Sequence, residues 1–560
     1  MSTVWEIAQP SSASFSSVSD LPYSQPTQKF LARRGFKTEA EITKHLFPSL
    51  DALYDPFLMK GVSGSAKRIL SAINRRETIL IHGDYDVDGI TGAALLARTL
   101  EKLSARFITF LPIRKRDGYG VSPQAIRLAK EKNVSLFITV DCGIAAFEEA
   151  KEARSAGIDV IIIDHHRIHD VGMPDAFEII NPLQEGCAYP FKELSACGLA
   201  FKLAQALLGA GAYELLDLAA LSSVCDIAPL VDENRILVYF GLKRLGLREQ
   251  IGFKSLCEVS SLKKQKISTT DLGFILGPRI NAAGRMSSAD TALKLLTTHD
   301  RKEADELAKI LNDENKARQQ EERGVLKQAL QTVEREINFN RDRIVVVAGD
   351  GWHEGVIGIV AQRLVEYFSR PALVIAFDGA RGKGSGRSLK GFHLFESLRY
   401  CEDLLEEFGG HELAAGFVIE KKHFDKFRRK INEFSKTVST DVFTRSIRVD
   451  LEVSFRELSL PFLREIALLE PFGAGNPKPV FLTRGVRTKR GPERLSGNGY
   501  RWWVTDGEMT LEAIWRSRSS ELSFPDGEPY TMVYSPKLNS WDGIESLVLE
   551  VKDVKTDAGR

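Results

Sequence analysis

Neither sign of charge predominates in this 560-residue chain: 76 Lys and Arg stand against 75 Asp and Glu, a net charge of +1 at pH 7. That balance neither demands nor excludes nucleic acid, because a basic groove can hide inside a neutral total. No apolar run approaches the roughly 18 residues needed to cross a bilayer, so an integral membrane protein is not expected. The opening residues MSTVWEIAQPSSASFSS carry neither the basic segment nor the apolar core of a secretory signal. Cysteine is sparse (142, 187, 197, 225, 257 and 401), and no two are spaced C-x-x-C, which argues for free thiols in a reducing compartment. With 43% hydrophobic and 27% charged residues, what remains is a globular, cytoplasmic protein, with three or four domains at about 150 residues each.

Five parts can be read along the chain. Residues 1–60 contain a Ser-rich stretch (11–19), Pro22, Pro26 and a short helical piece around 29–46, and read as an extension draped on a domain. Within 61–300, four short apolar runs (78–81, 107–111, 136–140 and 160–163) alternate with helical stretches at 89–103, 122–132 and 145–156. Near-continuous β-branched runs alternating with helices predict a parallel sheet covered on both faces, with ligands beyond the carboxyl ends of its strands. Residues 301–340 are rich in Ala, Leu, Glu, Lys and Arg, with one Gly and no Pro, and predict a long solvated helix connecting two lobes. A strand-like run at 343–348 opens a second α/β domain, 341–440. In 441–560, five short strand candidates, among them 446–453, 480–486, 500–504 and 509–514, predict a small β-barrel.

The strongest chemical signal is His82-Gly83-Asp84-Tyr85-Asp86-Val87-Asp88-Gly89, three carboxylates at alternate positions directly after a buried strand. Carboxylates so close repel one another at low dielectric, so a cation is expected among them. An Asp-rich turn capping the helix at Gly89, or a calcium loop, is the plainer alternative, but a calcium EF-hand needs a longer loop closed by Glu. Asp141 follows the run 136–140 and Asp164-His165-His166 follows 160–163, at the same sheet edge. Asp226 is a weaker candidate by spacing. Mixed carboxylate and imidazole ligands suit Mn²⁺ or Mg²⁺ better than structural zinc. Five or more carboxylates point to two ions bridged by one of them, the arrangement that serves phosphoryl transfer. The residues therefore predict a metal-dependent phosphoester or phosphoanhydride hydrolase.

The run Gly83–Gly89, the lone Asp141 and Asp164-His165-His166 resemble the first three motifs of the DHH phosphoesterase superfamily, and Ala196-Cys197-Gly198-Leu199 with the segment around Asp226 its later motif. Downstream, Gly277-Pro278-Arg279-Ile280-Asn281-Ala282-Ala283-Gly284-Arg285-Met286, the run 351–361, Gly384-Ser385-Gly386-Arg387-Ser388 and Gly409-Gly410-His411 are similar to the RecJ branch of single-strand-specific exonucleases. The likeness covers roughly residues 60–555. It implies a DHH domain, a DHHA1-like second α/β domain and an OB-like C-terminal barrel. It also implies that Asp88, Asp141, His165 and Asp226 hold one ion, and that Asp86 and Asp141 hold the other with Asp84 nearby. Asp141 is then the bridge, His166 lies beside the scissile phosphate, and Asp164 orients a histidine. In small DHH phosphatases a His at the position of His82 binds metal, but RecJ relatives carry an apolar residue there.

A polymer hydrolase must also grip its substrate. Residues 379–390 combine four cations with four glycines, which let backbone N–H groups approach phosphate. The resemblance implies that Ser385 and Arg387, with Arg114, hold a terminal 5′-phosphate, and that Tyr119, Arg279, His353 and His411 lie near the strand. In residues 484–503 six cations, Arg490 and Arg501 among them, face a single acid, Glu493, and Tyr500, Trp502 and Trp503 follow. Cations interleaved with aromatics suit single-strand binding, with Trp502 the base-stacking candidate and at least one of the two Trp expected in the barrel core. A passage between two lobes would exclude duplex by width. The resemblance thus implies a monomeric 5′→3′ exonuclease on single-stranded DNA that releases 5′-mononucleotides in repair and recombination, with a helicase and a single-strand-binding protein as expected partners. The competing enzyme reading is a phosphodiesterase for short oligonucleotides or cyclic dinucleotides, against which the extra barrel argues. A non-catalytic scaffold is disfavoured because every acidic and histidine position is present.

Overall fold

The computed structural model describes residues 3–8, 21–118, 120–168, 171–495, 499–516, 528–541 and 544–556. The chain divides into two compact units: 43–317 with 469–477, and 1–42 with 318–468 and 478–560. Residues 1–60 are thus shared between them, and the Ser-rich stretch lies outside the described residues. At the start of the chain, β1 (Val4–Ile7) pairs in parallel with a strand at Ser446–Val449, and Trp5 Nε1 donates to Asp553 (2.8 Å).

The unit built on 43–317 carries a five-stranded, all-parallel sheet of β2 (Thr78–Gly83), β3 (Arg106–Phe110), β4 (Val134–Val140), β5 (Asp159–Ile163) and β6 (Glu178–Ile180), in the order β3-β2-β4-β5-β6. The four expected strands are present. β6 escaped the sequence reading because a three-residue run has no measurable period. Helix α1 (Val87–Lys102) covers one face, and helices Pro123–Glu131 and Phe147–Ser155 cover the other, so two apolar clusters sandwich the sheet. The strand order reverses between β2 and β4. There the crossovers leave in opposite directions and open a crevice at the carboxyl edge.

Helices α2 (Ala196–Leu208) and α3 (Leu216–Cys225) correct the hydropathy reading. The stretch Ala196–Cys225 holds an 18-residue window of mean hydropathy 1.3, apolar enough to cross a membrane by composition. Its apolar character has another use: Leu199, Phe201, Leu203, Leu218 and Leu221 are wholly buried in the core against α1, and a 3₁₀ turn at Gly209–Leu215 divides the stretch. Helix α4 (Gly277–Met286) follows a π-helical turn, and α5 runs unbroken over Arg301–Glu336.

In the other unit, β7 (Val345–Asp350), helix α6 (Glu354–Phe368), β8 (Ala372–Asp378), β9 (Arg381–Arg387), β10 (Glu407–Gly410) and β11 (Ala414–Glu420) build a mixed sheet ordered β10-β11-β9-β8-β7. Beyond β12 (Ser446–Val449) and β13 (Leu451–Glu452), the long strands β14 (Phe481–Leu495), β15 (Gly499–Thr505), β16 (Thr510–Arg516), β17 (Tyr530–Trp541) and β18 (Ile544–Thr556) form a closed five-stranded barrel, with β14 pairing both β15 and β17. Residues 21–42 are fastened to this unit: Phe30 meets Phe481 edge-on, and Arg34 forms a two-pronged pair with Asp450 (2.6 and 2.8 Å).

Candidate active site

The crevice at the strand-order reversal collects the acidic residues. Asp84, Asp86 and Asp88 leave the end of β2, Asp141 the end of β4, and Asp164, His165 and His166 the end of β5, while Asp226 caps the C-terminus of α3. Ligand atoms of Asp84, Asp86 and Asp141 lie within 4.8 Å of one another, as do those of Asp88, His165 and Asp226, and those of Asp141, His165 and His166. His165 Nε2 stands 3.4 Å from Asp141 and 3.9 Å from Asp88, and its Nδ1 is 3.9 Å from Asp226. Asp141 joins the groups, and it does so from a left-handed backbone (φ 64°), a strained conformation that aims its side chain into the crevice.

Each carboxylate is held differently. Asp86 caps α1, its Oδ1 accepting from the N–H groups of Asp88 and Gly89 (2.9 and 3.2 Å). Asp88 is buried, and its two oxygens accept from Ala196 N, Cys197 N and Ser222 Oγ (2.7, 2.8 and 2.6 Å). The positive end of α2 thus offsets one buried negative charge. Helix α4 props the acidic loop from behind: Asn281 Oδ1 accepts from Val87 N (3.2 Å), and a Cβ at Gly284 would stand 2.1 Å from the Tyr85 carbonyl. Ser222, Asn281 and Gly284 carried no signal of this role in the sequence, because each acts across more than 130 residues.

The electrostatics fit a divalent pair. Burial, then the charges of Asp88, Asp86, Asp84 and Asp226, push the Asp141 carboxyl well above its ordinary value. Burial followed by Asp88 and Asp86 lifts Asp226 to about 8. Carboxyls that resist ionisation because other carboxylates crowd them are relieved by cations among them. Burial lowers His165, leaving it the neutral imidazole that a metal requires. Burial also opposes a proton on His166, but the hydrogen bond from Nδ1 to Asp164 (2.7 Å) and the charges of Asp164, Asp226 and Asp88 outweigh it and raise this imidazole to about 8. His82 is no ligand. It is wholly buried and stacked on Phe110, Nε2 accepts from Ser122 N (3.3 Å) and Nδ1 meets Cys142 Sγ (3.4 Å). Burial holds it down at about 4, neutral at any physiological pH.

Of the expected strand-binding residues in this unit, Arg279 is half-buried and donates to Asn312 Oδ1 (3.1 Å) and the Ile275 carbonyl (2.6 Å). Tyr119 and the side chain of Arg114 lie outside the described residues. In the other unit, His353 caps α6, its Nδ1 accepting from Gly355 N (3.1 Å), and Ser385 and Arg387 project from β9 against the same helix. Gly358 makes this approach possible, since a Cβ there would lie 3.0 Å from Ser385 Oγ and 3.3 Å from Arg387 Nη2. His411 sits in the β10–β11 turn at the sheet end where Ala414 pairs with Arg387. A helix N-terminus, a hydroxyl and a guanidinium are thereby brought close together, groups of the kind that bind phosphate elsewhere.

The barrel corrects one assignment. Trp502 is 1% exposed and donates to the Tyr530 hydroxyl (3.2 Å), so it is core and cannot stack on a base, whereas Trp503, pointing the other way, is 40% exposed. Arg501 and Arg490 are exposed and share Glu493 (2.8 and 3.6 Å).

Three family models match this chain. Models of the DHH family N-terminal domain, the DHHA1 domain and the RecJ OB domain match residues 78–223, 341–437 and 449–553. The single-stranded-DNA-specific exonuclease RecJ of Bacillus subtilis is 40% identical over 98% of this chain and 70% of its own length, and that of Salmonella typhimurium 33% identical over 96% and 97%. The crystal structure of RecJ in complex with Mn²⁺ from Thermus thermophilus superposes with a TM-score of 0.85 at 30% identity, covering all of this chain and 80% of the other, and its Mg²⁺ complex with 0.79 at 28%. Identity sustained over almost the whole length, across both units, leaves one assignment: the chain belongs to the RecJ family of DHH proteins.

Proposed function

We propose that this protein is a metal-dependent exonuclease that hydrolyses single-stranded DNA from the 5′ end to 5′-mononucleotides, in repair and recombination. The observation that carries the reading is Asp141, common to a carboxylate group with Asp84 and Asp86 and to a second group with His165 and His166, the latter linked through His165 to Asp88 and Asp226. Asp88, Asp141, His165 and Asp226 would hold one ion, and Asp86 and Asp141 the other, with Asp84 beside it. When bound, two Mn²⁺ or Mg²⁺ ions supply an activated water and neutralise charge on the phosphodiester. His166, kept protonated by Asp164, donates to the phosphate as negative charge develops. Ser385, Arg387 and the N-terminus of α6 grip the terminal phosphate, with His353 and His411 at the same site, and Arg279 and the exposed Trp503 contact the strand. The cytoplasm, a monomeric state, and a helicase with a single-strand-binding protein to deliver substrate complete the proposal.

The test is a time course on single-stranded DNA labelled separately at each end, with Mn²⁺ or chelator. Immediate release of the 5′ label as a mononucleotide, with gradual shortening of the 3′-labelled strand, is expected. Cleavage of di- to pentanucleotides alone would favour a small-substrate phosphodiesterase, and no cleavage at all would revive a scaffold.

A further inference from the structure

The ligand candidates differ in what holds them. Unlike Asp88, Asp226 has a carboxylate that accepts no hydrogen bond among the described residues; its nearest partner is His165 at 3.9 Å. Its place is therefore set by the backbone of its own turn. That turn ends α3 with Asp226 N donating to Ser222 O (2.8 Å), reverses at Ile227 (φ 60°) and continues through Ala228 N to Ser223 O (3.0 Å).

What fixes the far side of the turn comes from much later in the chain. Among the described residues beyond 317, only segment 469–477 belongs to this unit, although the residues on both sides of it belong to the other. It lies along Pro229–Val231: Leu230 N donates to Ala474 O (2.7 Å). Gly475 (φ 70°) comes so close that a Cβ would stand 3.0 Å from Pro229 Cβ and 3.3 Å from Val231 Cγ1. Arg235, 2% exposed on the helix that follows the turn, donates to the carbonyls of Leu469 (2.7 Å) and Glu470 (2.8 Å) and to that of His45 (2.7 Å). Asn476 Nδ2 closes the segment on itself through Leu469 O (2.8 Å) and Pro471 O (3.0 Å), and Thr269 Oγ1 donates to Phe472 O (2.7 Å).

We propose that segment 469–477, clasped by Arg235 and closed by Asn476, is a positioning element for the metal ligand Asp226. The inference rests on the metal-centre reading above. Arg235, Gly475 and Asn476 touch neither substrate nor metal; they act through the turn that carries the carboxylate. Supports one step removed from a ligand commonly change metal affinity by about 10–100-fold.

The test is a Mn²⁺ titration of the full-length chain, free Mn²⁺ being read from its six-line electron paramagnetic resonance signal, for the wild type, Asn476→Ala and Gly475→Ala. Circular dichroism and thermal midpoints are taken alongside, so that if one variant fails to fold the other carries the test. The expected result is two ions bound by the wild type. Each folded variant should keep one ion at wild-type affinity and bind the second about tenfold or more weakly, with excess Mn²⁺ restoring nuclease turnover. Folded variants that bind both ions as the wild type does would overturn the positioning role, as would equal weakening at both sites in step with lost stability. A wild type that binds no Mn²⁺ would instead overturn the metal centre itself.

Discussion

Stripping the metal should make the catalytic unit less stable as pH rises from 6 to 8. Asp226 titrates near 8 in the folded metal-free protein against an ordinary 3.8, so across that window the native state holds a proton that the unfolded chain has released. Stability falls with pH wherever the native state binds more protons, by about 1.4 kcal/mol per proton and pH unit. Over two units Asp226 alone sets a ceiling of about 2.7 kcal/mol, and water reaching a side chain 29% exposed brings the expected loss to about 1–2 kcal/mol. Asp141, also raised, acts in the same direction. So does His166: lifted from 6.5 to about 8, it contributes stability below 6.5 that is lost as pH passes 8. His165, lowered by burial, opposes them only below about its ordinary 6.5. For a unit of this size the midpoint should drop by roughly 2–5 °C, measurable by scanning calorimetry in chelator. Asp226→Asn should flatten the slope, and saturating Mn²⁺ should reverse it, because metal and protons compete for the same oxygens. A metal-free midpoint that stays level or climbs between pH 6 and 8 would refute the reasoning.

Asp141→Ala should abolish turnover while the circular dichroism spectrum stays native; near-normal hydrolysis would refute the shared-ligand assignment. Gly358→Ala, which sets a methyl 3.0 Å from Ser385 Oγ, and Arg387→Ala should each lower the preference for 5′-phosphorylated ends several-fold, read as the ratio of rates on phosphorylated and unphosphorylated strands. An unchanged ratio would remove these groups from substrate binding. Trp502→Ala should cost the barrel roughly 3–5 kcal/mol in denaturant unfolding. Trp503→Ala should leave stability alone and weaken single-strand affinity by about 1–3 kcal/mol in a fluorescence-anisotropy titration.

The parallel sheet and its acidic edge were legible because both are local patterns: β-branched runs of five or so residues, each followed at once by Asp or His. The barrel pair Trp502 and Trp503 was half legible. Alternation along β15 buries Trp502 and Val504 and exposes Trp503, and Val504 was the clue to the parity. The Ser222 contact to Asp88, the Asn281 contact to Val87 and the clasp on residues 469–471 were not legible. They join residues 134, 194 and about 235 positions apart, and nothing in a one-dimensional pattern marks such partners. Asp226 looked weak for the same reason, since it follows a helix and not one of the strands that announce the others.

The pairing of β1 with β12, and of Trp5 with Asp553, bears on how the chain comes to be folded during synthesis. The unit made of 1–42, 318–468 and 478–560 encloses the other in sequence, so its first strand leaves the ribosome long before any partner for it exists. At ~5–20 residues per second the wait lasts tens of seconds. During it residues 43–317 can collapse around their own sheet, while β1 remains an unpaired edge seeking a neighbour. The nesting thus lets the sheet of residues 43–317 form before its inserted segment 469–477 is synthesised and before β1 can meet β12.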